Sequence, residues 1–266
     1  MRALILAAGR GTRLAPLTDD RPKCLAELGG PSLLENQIST LRSQSISDIT
    51  LLGGYRSECL TRLGLPVVVN PDWADSNMVF TLFCARDRML EDTDLIIAYG
   101  DIVYEPRVLQ ALMGCDAPMG VVVDQEWRRF WDLRMADPLS DAETLKIDSK
   151  GMITELGRKP RSYDEIQGQY IGLIKVRWDR VVELCRLYDA MDPDRSYDGR
   201  DRKQMYLTSF IQHAIDNGWP VQAVPVSNGW LEVDTLAELQ LYRRMMAEGT
   251  LDGFFRITKS SSGSAH

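Results

Sequence analysis

Glycines and basic residues follow the first apolar run of the chain at a spacing that could bind phosphate. The run at residues 4–8 has the length of a strand, and the next residues include Gly9, Gly11, Arg13 and, further along, Lys23. Glycine lets the backbone approach a bulky anion and turn its N–H groups toward it. The arginine and the lysine supply charge that an ordinary turn does not require. The loop therefore predicts a cradle for a nucleoside triphosphate, with Lys23 reaching the phosphates; the alternative is a plain strand-to-loop connection with solvated basic residues.

Two other phosphate-binding motifs do not fit this loop. The dinucleotide fingerprint Gly-x-Gly-x-x-Gly requires a third glycine where this chain has Leu14. It also requires an acidic residue at the end of the second strand, whereas the predicted strand at residues 48–52 is followed by Gly53-Gly54-Tyr55-Arg56. The Walker sequence Gly-x-x-x-x-Gly-Lys-Ser/Thr does not occur in the chain. Neither motif accounts for the loop.

Three carboxylates are placed where they could hold a metal ion close to the phosphates. Asp101 follows a buried strand predicted at residues 95–99, at the carboxyl edge where open α/β sheets bind ligands. Glu232 and Asp234 are two residues apart, so on a strand their side chains project to the same face. Such a group would suit Mg²⁺, which takes oxygen ligands and keeps several waters. The alternatives are that Asp101 caps the turn after its strand and that Asp234 caps the last helix.

Strand and helix patterns alternate along the first half of the chain. Apolar runs of strand length lie at residues 4–8, 48–52, 66–69, 95–99 and 119–123. Apolar residues at helical spacing, with Ser32 as the first cap, predict helices at residues 33–41, 57–63, 77–89 and 106–113. This alternation predicts an α/β fold with a mostly parallel central sheet and helices on both faces.

The pattern changes in the second half. Two runs at residues 143–147 and 152–156 flank a turn and predict an antiparallel hairpin. Residues 189–203 are charged and poor in apolar side chains, so we expect an exposed loop there. The remaining elements are strands at 169–176 and 221–226 and helices at 181–188, 207–217 and 235–248. We therefore expect a small β-rich insertion on the α/β unit.

Composition excludes several classes of protein. The chain has 266 residues, a net charge of −7, five cysteines and two histidines. The negative charge argues against non-specific nucleic-acid binding, and no apolar run reaches membrane-spanning length. An odd number of scattered cysteines is typical of reduced thiols, and the apolar start leaves no room for a secretory signal. We expect a cytoplasmic protein that binds neither nucleic acid nor membrane and has a disordered tail at residues 259–266.

The loop and the carboxylates together resemble the sugar-phosphate nucleotidyltransferase superfamily. The signature is carried by Pro22-Lys23 and by Leu6-Ala7-Ala8-Gly9-Arg10-Gly11-Thr12-Arg13-Leu14. Within the superfamily, several further stretches are more similar to the phosphocholine and phosphonate cytidylyltransferases than to the sugar enzymes. These stretches lie at residues 76–82, 99–105, 138–143, 169–173 and 230–234. The resemblance spans about residues 1–247.

The resemblance implies a Rossmann-like nucleotidyltransferase fold in a single domain, residues 1–258. It divides the domain into a nucleotide-binding part at about 1–125, an acceptor-binding part at about 126–234 and a closing helix at 235–248. Such enzymes join a nucleoside triphosphate to a phosphorylated or phosphonylated acceptor and release pyrophosphate. Because the acceptor oxygen is already anionic, the reaction needs alignment and charge neutralisation rather than a general base.

Carried over by position, the resemblance assigns roles to individual residues. Arg13 and Lys23 are the expected catalytic residues, which hold the triphosphate, and Lys23 stabilises charge on the transferred α-phosphoryl group. Mg²⁺ is expected as the cofactor, held by Asp101, Glu232 and Asp234. The residues expected to bind the nucleotide are Ala8, Gly9, Gly11, Thr12, Arg13, Lys23, Asn77, Tyr99 and Gly100.

The expected acceptor site combines the resemblance with the character of the residues. Lys159 matches the lysine that meets the acceptor's phosphate in the family. Trp131, Tyr170 and Asp141 could hold an ammonium group, as in phosphocholine or aminoethylphosphonate, between aromatic faces and a carboxylate. The alternative is that these aromatic residues only pack the insertion. The three arginines in residues 128–134 would instead suit an acceptor that carries a second acid.

The sequence thus predicts a Mg²⁺-dependent cytidylyltransferase. It would transfer CMP from CTP, or from another nucleoside triphosphate, to a small phosphonate or phosphocholine-like acceptor. One alternative is a sugar-1-phosphate nucleotidyltransferase that makes a nucleotide sugar. An alternative of another class is a nucleotide-binding regulatory module without turnover. A homo-oligomer is compatible with all three.

Overall fold

The computed structural model describes residues 1–257, so the predicted tail at 259–266 lies outside the described residues. The strands are β1 (Arg2–Ala7), β2 (Asp48–Gly53), β3 (Val67–Val69), β4 (Leu95–Tyr99), β5 (Ile102–Tyr104), β6 (Met119–Asp124), β7 (Leu145–Ile147), β8 (Ile153–Leu156), β9 (Gln169–Val176), β10 (Val221–Val226) and β11 (Trp230–Glu232). The helices are α1 (Leu33–Ser43), α2 (Met78–Cys84), α3 (Arg86–Met89), α4 (Pro106–Met113), α5 (Trp127–Arg134), α6 (Val181–Asp189), α7 (Leu207–Asp216) and α8 (Leu236–Glu248). None of these helices is long and apolar enough to cross a membrane.

Seven strands form the central sheet, in the order β10-β6-β9-β4-β1-β2-β3. β1 pairs in parallel with β2 and β4, β2 with β3, and β6 with β10. β9 is the exception and runs antiparallel to both β4 and β6. The predicted α/β fold with a mostly parallel sheet is confirmed.

A hydrophobic core lies on each face of the sheet, so that β1 is buried on both sides. Ile5 packs into one core, and its neighbours Leu4 and Leu6 pack into the other, as the two-residue period of a strand requires. Helices α1, α4, α5 and α8 cover the first core, through residues such as Leu34, Leu109, Phe130 and Leu239. Helices α2, α6 and α7 cover the second, through residues such as Leu82, Leu184 and Phe210.

Pairing of β1 with β4 brings the loops after these two strands together. Leu6 lies opposite Tyr99 at the ends of the strands, and the Gly100 N–H donates to the Leu6 carbonyl over 2.9 Å. A Cβ on Gly100 would lie 2.6 Å from that carbonyl oxygen, so the close approach requires glycine. The glycine-containing loop after β1 and Asp101 after β4 therefore share one edge of the sheet.

A second, two-stranded ladder carries the distant acidic residues to the same edge. β11 pairs antiparallel with β5, so that Glu232 lies opposite Ile102. Beyond the ladder, the Val233 N–H donates to the Asp101 carbonyl over 3.1 Å. These main-chain hydrogen bonds place residues 232 and 234 next to Asp101, although more than 120 residues of sequence separate them.

Several predicted elements differ in detail from the structure. The predicted helix at 77–89 is interrupted at Ala85, whose φ of −98° and ψ of 23° leave helical geometry. The predicted helix at 57–63 is a pair of 3₁₀ turns that buries one leucine, Leu60, completely. The structure has helix α5 at residues 127–134, where no helix was predicted. The predicted hairpin is present as β7 and β8.

The acceptor-binding part predicted at residues 126–234 contributes strands β9 and β10 to the central sheet. Its β-rich addition to that sheet is the β7–β8 hairpin. Residues 190–203 contain no helix or strand, as expected, but Met191 and Tyr197 within them are buried and anchor the segment to the second core.

Loss of the first helix cap tests the local part of this account. The Ser32 hydroxyl accepts from the Glu35 N–H, and the Glu35 carboxylate accepts from the Ser32 N–H. We expect Ser32→Ala to lower the free energy of unfolding by about 1 kcal/mol, because an N–H at the helix start loses its acceptor. Urea denaturation measures the difference. Ser39→Ala, at an exposed position of the same helix, is the control, and equal losses in the two variants would contradict the capping role.

Candidate active site

The basic loop and the distant carboxylates meet at one ionic cluster. The Lys23 ammonium lies 2.6 Å from Asp101 Oδ2 and 2.5 Å from Asp234 Oδ1. The Arg13 guanidinium lies 3.0 Å from the same oxygen of Asp234. The Lys23 side chain is largely buried, at 12% exposure, whereas that of Arg13 is 65% exposed. Arg13 therefore approaches the cluster from the solvent side.

Glycine geometry explains how the loop wraps around Lys23. Gly11 has a φ of +70°, which side chains rarely adopt, and a Cβ there would lie 2.6 Å from the Lys23 side chain. The Lys23 N–H points to the Gly9 carbonyl over 3.4 Å. Gly11 thus has a role besides any approach to phosphate, because it leaves room for the lysine stem, whereas a Cβ on Gly9 would meet no atom within 4 Å.

The three predicted metal ligands lie close enough to share one ion. Oxygens of Asp101, Glu232 and Asp234 all lie within 4.8 Å of one another. Asp101 Oδ1 is buried and has no hydrogen-bond partner among residues 1–257. A buried oxygen without a partner is costly unless another group fills the gap, and carboxylate oxygens are the ligands that Mg²⁺ prefers. The donor set therefore fits a divalent cation.

The capping alternatives do not describe these carboxylates. Helix α8 is capped by Thr235, whose hydroxyl accepts from the Glu238 N–H. The Glu238 carboxylate in turn accepts from the Asp234 and Thr235 N–H groups. The Asp234 carboxylate is thereby left free for Lys23 and the two arginines near it. Asp101 makes its side-chain hydrogen bond to Lys23 rather than to the turn after its strand.

Arg134 contacts the cluster from the buried side. It was not among the predicted site residues. Its side chain is 1% exposed, and its guanidinium lies 2.9 Å from Glu232, 3.4 Å from Asp234 and 2.7 Å from Glu238. Burial opposes the charge, but the surrounding carboxylates raise the pKa of Arg134 above its ordinary value. The helical spacing could have indicated that Arg134 is buried, because it lies on the same face of α5 as the buried residues Trp127 and Trp131.

The cluster makes its two neighbouring carboxylates unequal. Burial and the nearby Asp234 charge raise the pKa of Glu232 to about 8, against the opposing effect of Arg134. Burial acts on Asp234 as well, but Lys23 and the arginines hold its pKa below the usual value. Burial disfavours the Lys23 ammonium, yet Asp101 and Asp234 raise its pKa overall. Asp234 is therefore the firmly ionised member, and Lys23 stays charged.

A first cavity of about 250 Å³ opens beside Lys23 and Asp101. Most of the residues expected to bind the nucleotide line it, namely Ala8, Gly9, Gly11, Lys23, Asn77, Tyr99 and Gly100. Thr12 and Arg13 do not line it, and Arg13 reaches the cluster through Asp234 instead. Lining residues that the sequence analysis did not name are Trp73, Ser76, Met78 and Thr81.

A second cavity of about 220 Å³ lies on the other side of the cluster and shares Met78 and Tyr99 with the first. Of the expected acceptor-binding residues, Trp131, Tyr170 and Asp141 line it, together with Glu232 and Asp234. Lining residues outside the expected acceptor-binding set include Glu143, Gln169, Ile171, Gly172, Tyr206, Thr208 and Trp230.

Lys159 does not line the second cavity. Its ammonium donates to the carbonyls of Leu139 and Ser140 over 2.5 and 2.6 Å. These carbonyls belong to a 3₁₀ turn before the β7–β8 hairpin, and they hold the lysine outside the cavity wall.

Two of the three arginines in α5 do not line the second cavity either. Arg128 stacks on Tyr163, and Arg129 donates to the Gly253 carbonyl.

The second cavity combines aromatic walls with carboxylates. The Trp131 indole N–H donates to Asp141 Oδ2 over 3.0 Å, which orients that carboxylate. Glu143 is half-buried nearby, and burial together with the Asp141 charge raises its pKa to about 7. No lysine or arginine of residues 1–257 lines the cavity. The lining of the cavity therefore suits a cationic group.

Comparison with known proteins decides the family. A model described as a MobA-like NTP transferase domain matches residues 3–170, which is more than half of the chain. The chain belongs to this family. A CTP:phosphoglutamine cytidylyltransferase from Campylobacter jejuni is 40% identical over 250 residues, covering 91% of this MobA-like transferase and 98% of the relative.

Two further similarities agree with that assignment. A choline-phosphate cytidylyltransferase from Streptococcus pneumoniae is 38% identical over 93 residues, which are 34% of this chain and 41% of that protein. The inositol-1-phosphate CTP transferase from T. maritima has the same fold, with a TM-score of 0.68 at 19% identity over 96% of this chain and 98% of the other. This MobA-like transferase is a nucleotidyltransferase of the cytidylyltransferase type, as predicted.

Removal of the buried guanidinium tests how the cluster is held. We expect Arg134→Met to lower the free energy of unfolding by about 3–5 kcal/mol, because three carboxylates lose their shared buried partner. The control is Arg128→Met on the same helix, where an exposed pair with Asp132 contributes little. Urea denaturation of both variants measures the contrast. A loss for Arg134→Met no larger than for Arg128→Met would show that the cluster does not depend on this arginine.

Proposed function

We propose that this protein transfers CMP from CTP to a small phosphorylated or phosphonylated acceptor that carries an ammonium group, and that it releases pyrophosphate. The proposal is carried by one observation: the two cavities adjoin at the cluster of Lys23, Asp101 and Asp234. A triphosphate in the first cavity and an acceptor in the second would meet at this cluster. The similarity to a phosphoglutamine and a choline-phosphate cytidylyltransferase supports the choice of CTP.

In the proposed reaction, an anionic oxygen of the acceptor attacks the α-phosphorus of CTP. The bond from that phosphorus to the oxygen bridging to the β-phosphorus breaks, and pyrophosphate leaves with the electron pair. The attacking oxygen carries no proton that must be removed, so a general base is not required. This agrees with the described part of the chain, where one histidine, His213, lies in α7 and lines neither cavity.

Lys23 and Arg13 would supply fixed positive charge during this step. Lys23 lines the first cavity, and its ammonium pairs with Asp234, which lines the second. From there it could turn from the carboxylates toward the α-phosphoryl group. Arg13 stands at the exposed rim of the same cluster, where the β- and γ-phosphates would extend. Charge placed in advance at a position where negative charge develops is usually the largest single contribution to catalysis.

We propose Mg²⁺ as the cofactor, held by Asp101, Glu232 and Asp234. The unpartnered Asp101 oxygen and the spacing of the three carboxylates support this choice. When bound, Mg²⁺ would neutralise charge on the phosphates. Arg134 would keep Glu232 and Asp234 facing the site, whether or not a metal is present.

The ammonium group of the acceptor would enter the second cavity between its aromatic walls and its carboxylates. Trp131 and Tyr170 offer aromatic faces, and Asp141 and Glu143 offer negative charge. The names of the relatives fit this chemistry, because choline and glutamine both carry a cationic nitrogen. Lys159, which is bound to backbone carbonyls, has no assigned part in this arrangement.

The direct test is a panel of triphosphates and acceptors followed by pyrophosphate release. We expect CTP to be used in preference to UTP, dTTP and GTP, with phosphoglutamine, phosphocholine or aminoethylphosphonate as acceptor. Activity should require Mg²⁺ and disappear with a chelator. Turnover confined to sugar 1-phosphates, or a preference for another triphosphate, would reject the proposal.

Replacement of Lys23 tests its catalytic role. Lys23→Met keeps the stem that packs against Gly11 but removes the charge, and we expect kcat to fall by about 100-fold or more. Circular dichroism should show an unchanged fold. Lys150→Met, at an exposed lysine in the turn between β7 and β8, provides the matched control. Activity near the wild-type level in Lys23→Met would remove this lysine from the mechanism.

The pKa of Glu143 predicts how acceptor binding depends on pH. Since burial raises that pKa to about 7, the carboxylate is neutral below this pH and charged above it. We expect the KM for aminoethylphosphonate to be lower in the wild type than in Glu143→Gln by about 10- to 100-fold at pH 8, from loss of a charged hydrogen bond. The difference should disappear toward pH 6. The ionisation of the acceptor affects both proteins equally and cancels in the ratio of their KM values. A KM ratio that does not change with pH would contradict the role of Glu143.

A further inference from the structure

A cationic side chain stands at the mouth of the second cavity. Tyr206, which lines this cavity, is 37% exposed and so marks its opening. The Arg200 guanidinium donates to the Tyr206 hydroxyl over 2.5 Å and lies 4.4 Å from the centre of the Tyr206 ring. Arg200 thus lies directly behind a wall residue at the rim of a cavity whose interior carries only acidic charge.

A tight turn holds Arg200 in this position. Tyr197 and Arg200 exchange both backbone hydrogen bonds, over 2.7 and 3.1 Å, and the two residues between them have φ values of 51° and 79°. Asp198 and Gly199 are the residue types that such a hairpin turn requires. The Tyr197 side chain is buried and anchors the turn. The Asp198 charge also adds to the effects of burial and Asp141 that raise the pKa of Glu143.

The charge of the Arg200 guanidinium is not balanced by a carboxylate in the described part of the chain. Among residues 1–257 no carboxylate forms an ion pair with it, whereas Arg134 is bound by three carboxylates and Arg128 pairs with Asp132. A guanidinium presents a planar set of donors that matches a carboxylate in a bidentate pair. The rim therefore offers a carboxylate-binding group next to Tyr206, which lines the acidic cavity.

We propose that the acceptor is an α-amino acid phosphorylated on its side chain, whose α-carboxylate binds Arg200. This inference rests on the proposed function and narrows its acceptor class. The α-ammonium would bind Asp141 and Glu143, and the phosphoryl group at the other end would face Lys23 and the carboxylate cluster. An acidic interior and a basic rim together match the two opposite charges of an amino acid. Phosphocholine and aminoethylphosphonate have no group for Arg200.

A matched pair of acceptors isolates the carboxylate. The first is glutamine phosphorylated on its side-chain amide, and the second is 4-aminobutanamide phosphorylated in the same way, which lacks only the α-carboxylate. Pyrophosphate release from CTP gives kcat/KM for each. We expect the wild type to prefer the amino acid, and Arg200→Gln to reduce that preference by about 10- to 100-fold through KM, as loss of a charged hydrogen bond implies.

Two further variants separate recognition from structure. Arg200→Lys keeps the positive charge but loses the paired donors of the guanidinium, and it should retain part of the preference for the amino-acid acceptor. Arg195→Gln changes an exposed arginine of the same segment, which stacks on Tyr197 and lines no cavity, and should leave the preference unchanged. Equal losses for both acceptors in Arg200→Gln would show that Arg200 only positions Tyr206, and would overturn the inference.

The same assay distinguishes failure of this inference from failure of the proposed function. If the wild type uses both acceptors equally well and Arg200→Gln leaves their ratio unchanged, the amino-acid inference is wrong while the cytidylyltransferase proposal stands. If the wild type releases no pyrophosphate from CTP with these acceptors, phosphocholine or aminoethylphosphonate, the proposed function itself is wrong.

Discussion

The structure depends on a single constraint, the need to balance a concentration of buried negative charge. Three carboxylates lie within 4.8 Å of one another, and like charges at this distance cannot remain ionised without cations nearby. The Lys23 ammonium holds Asp101 and Asp234 together from one side, and the Arg134 guanidinium holds Glu232 and Asp234 from the other. The same charge balance thus provides a place where a metal-bound triphosphate could replace part of the lysine's contacts.

Topology brings these charges together at little cost in backbone strain. The parallel pairing of β1 with β4 aligns the glycine loop with Asp101, and the β5–β11 ladder adds Glu232 and Asp234 through main-chain hydrogen bonds. Antiparallel β9 then contributes Tyr170 and Gly172 to the second cavity, on the far side of Tyr99. Gly172 has a φ of +84°, and a Cβ there would lie 2.7 Å from the Tyr99 ring, so the wall between the two cavities is close-packed. Two substrates can therefore meet at one edge of the sheet while each keeps its own cavity.

The sequence predicted those features that depend on local periodicity. Apolar runs located most central strands to within a residue or two, and the motif spacing singled out Lys23, Asp101, Glu232 and Asp234 before any geometry was known. The sequence did not predict the direction of each strand or which strands pair. The antiparallel course of β9 and the pairing of β5 with β11 depend on contacts between distant segments. Arg134 was predictable only in part. Its helical spacing from Trp127 and Trp131 indicated that its side chain is buried, but not which carboxylates it contacts. The position of the Lys159 ammonium, which nearby carbonyls bind outside the cavity, likewise depends on contacts that the motif does not contain.

The most direct measurement is a crystal structure of the protein with Mn²⁺ and a non-hydrolysable CTP analogue, with the metal located by its anomalous signal. We expect one Mn²⁺ bound by Asp101, Glu232 and Asp234 together with phosphate oxygens, with the Lys23 ammonium turned from the carboxylates onto the phosphates. A metal bound elsewhere, or a triphosphate bound while Lys23 still pairs with both carboxylates, would contradict it.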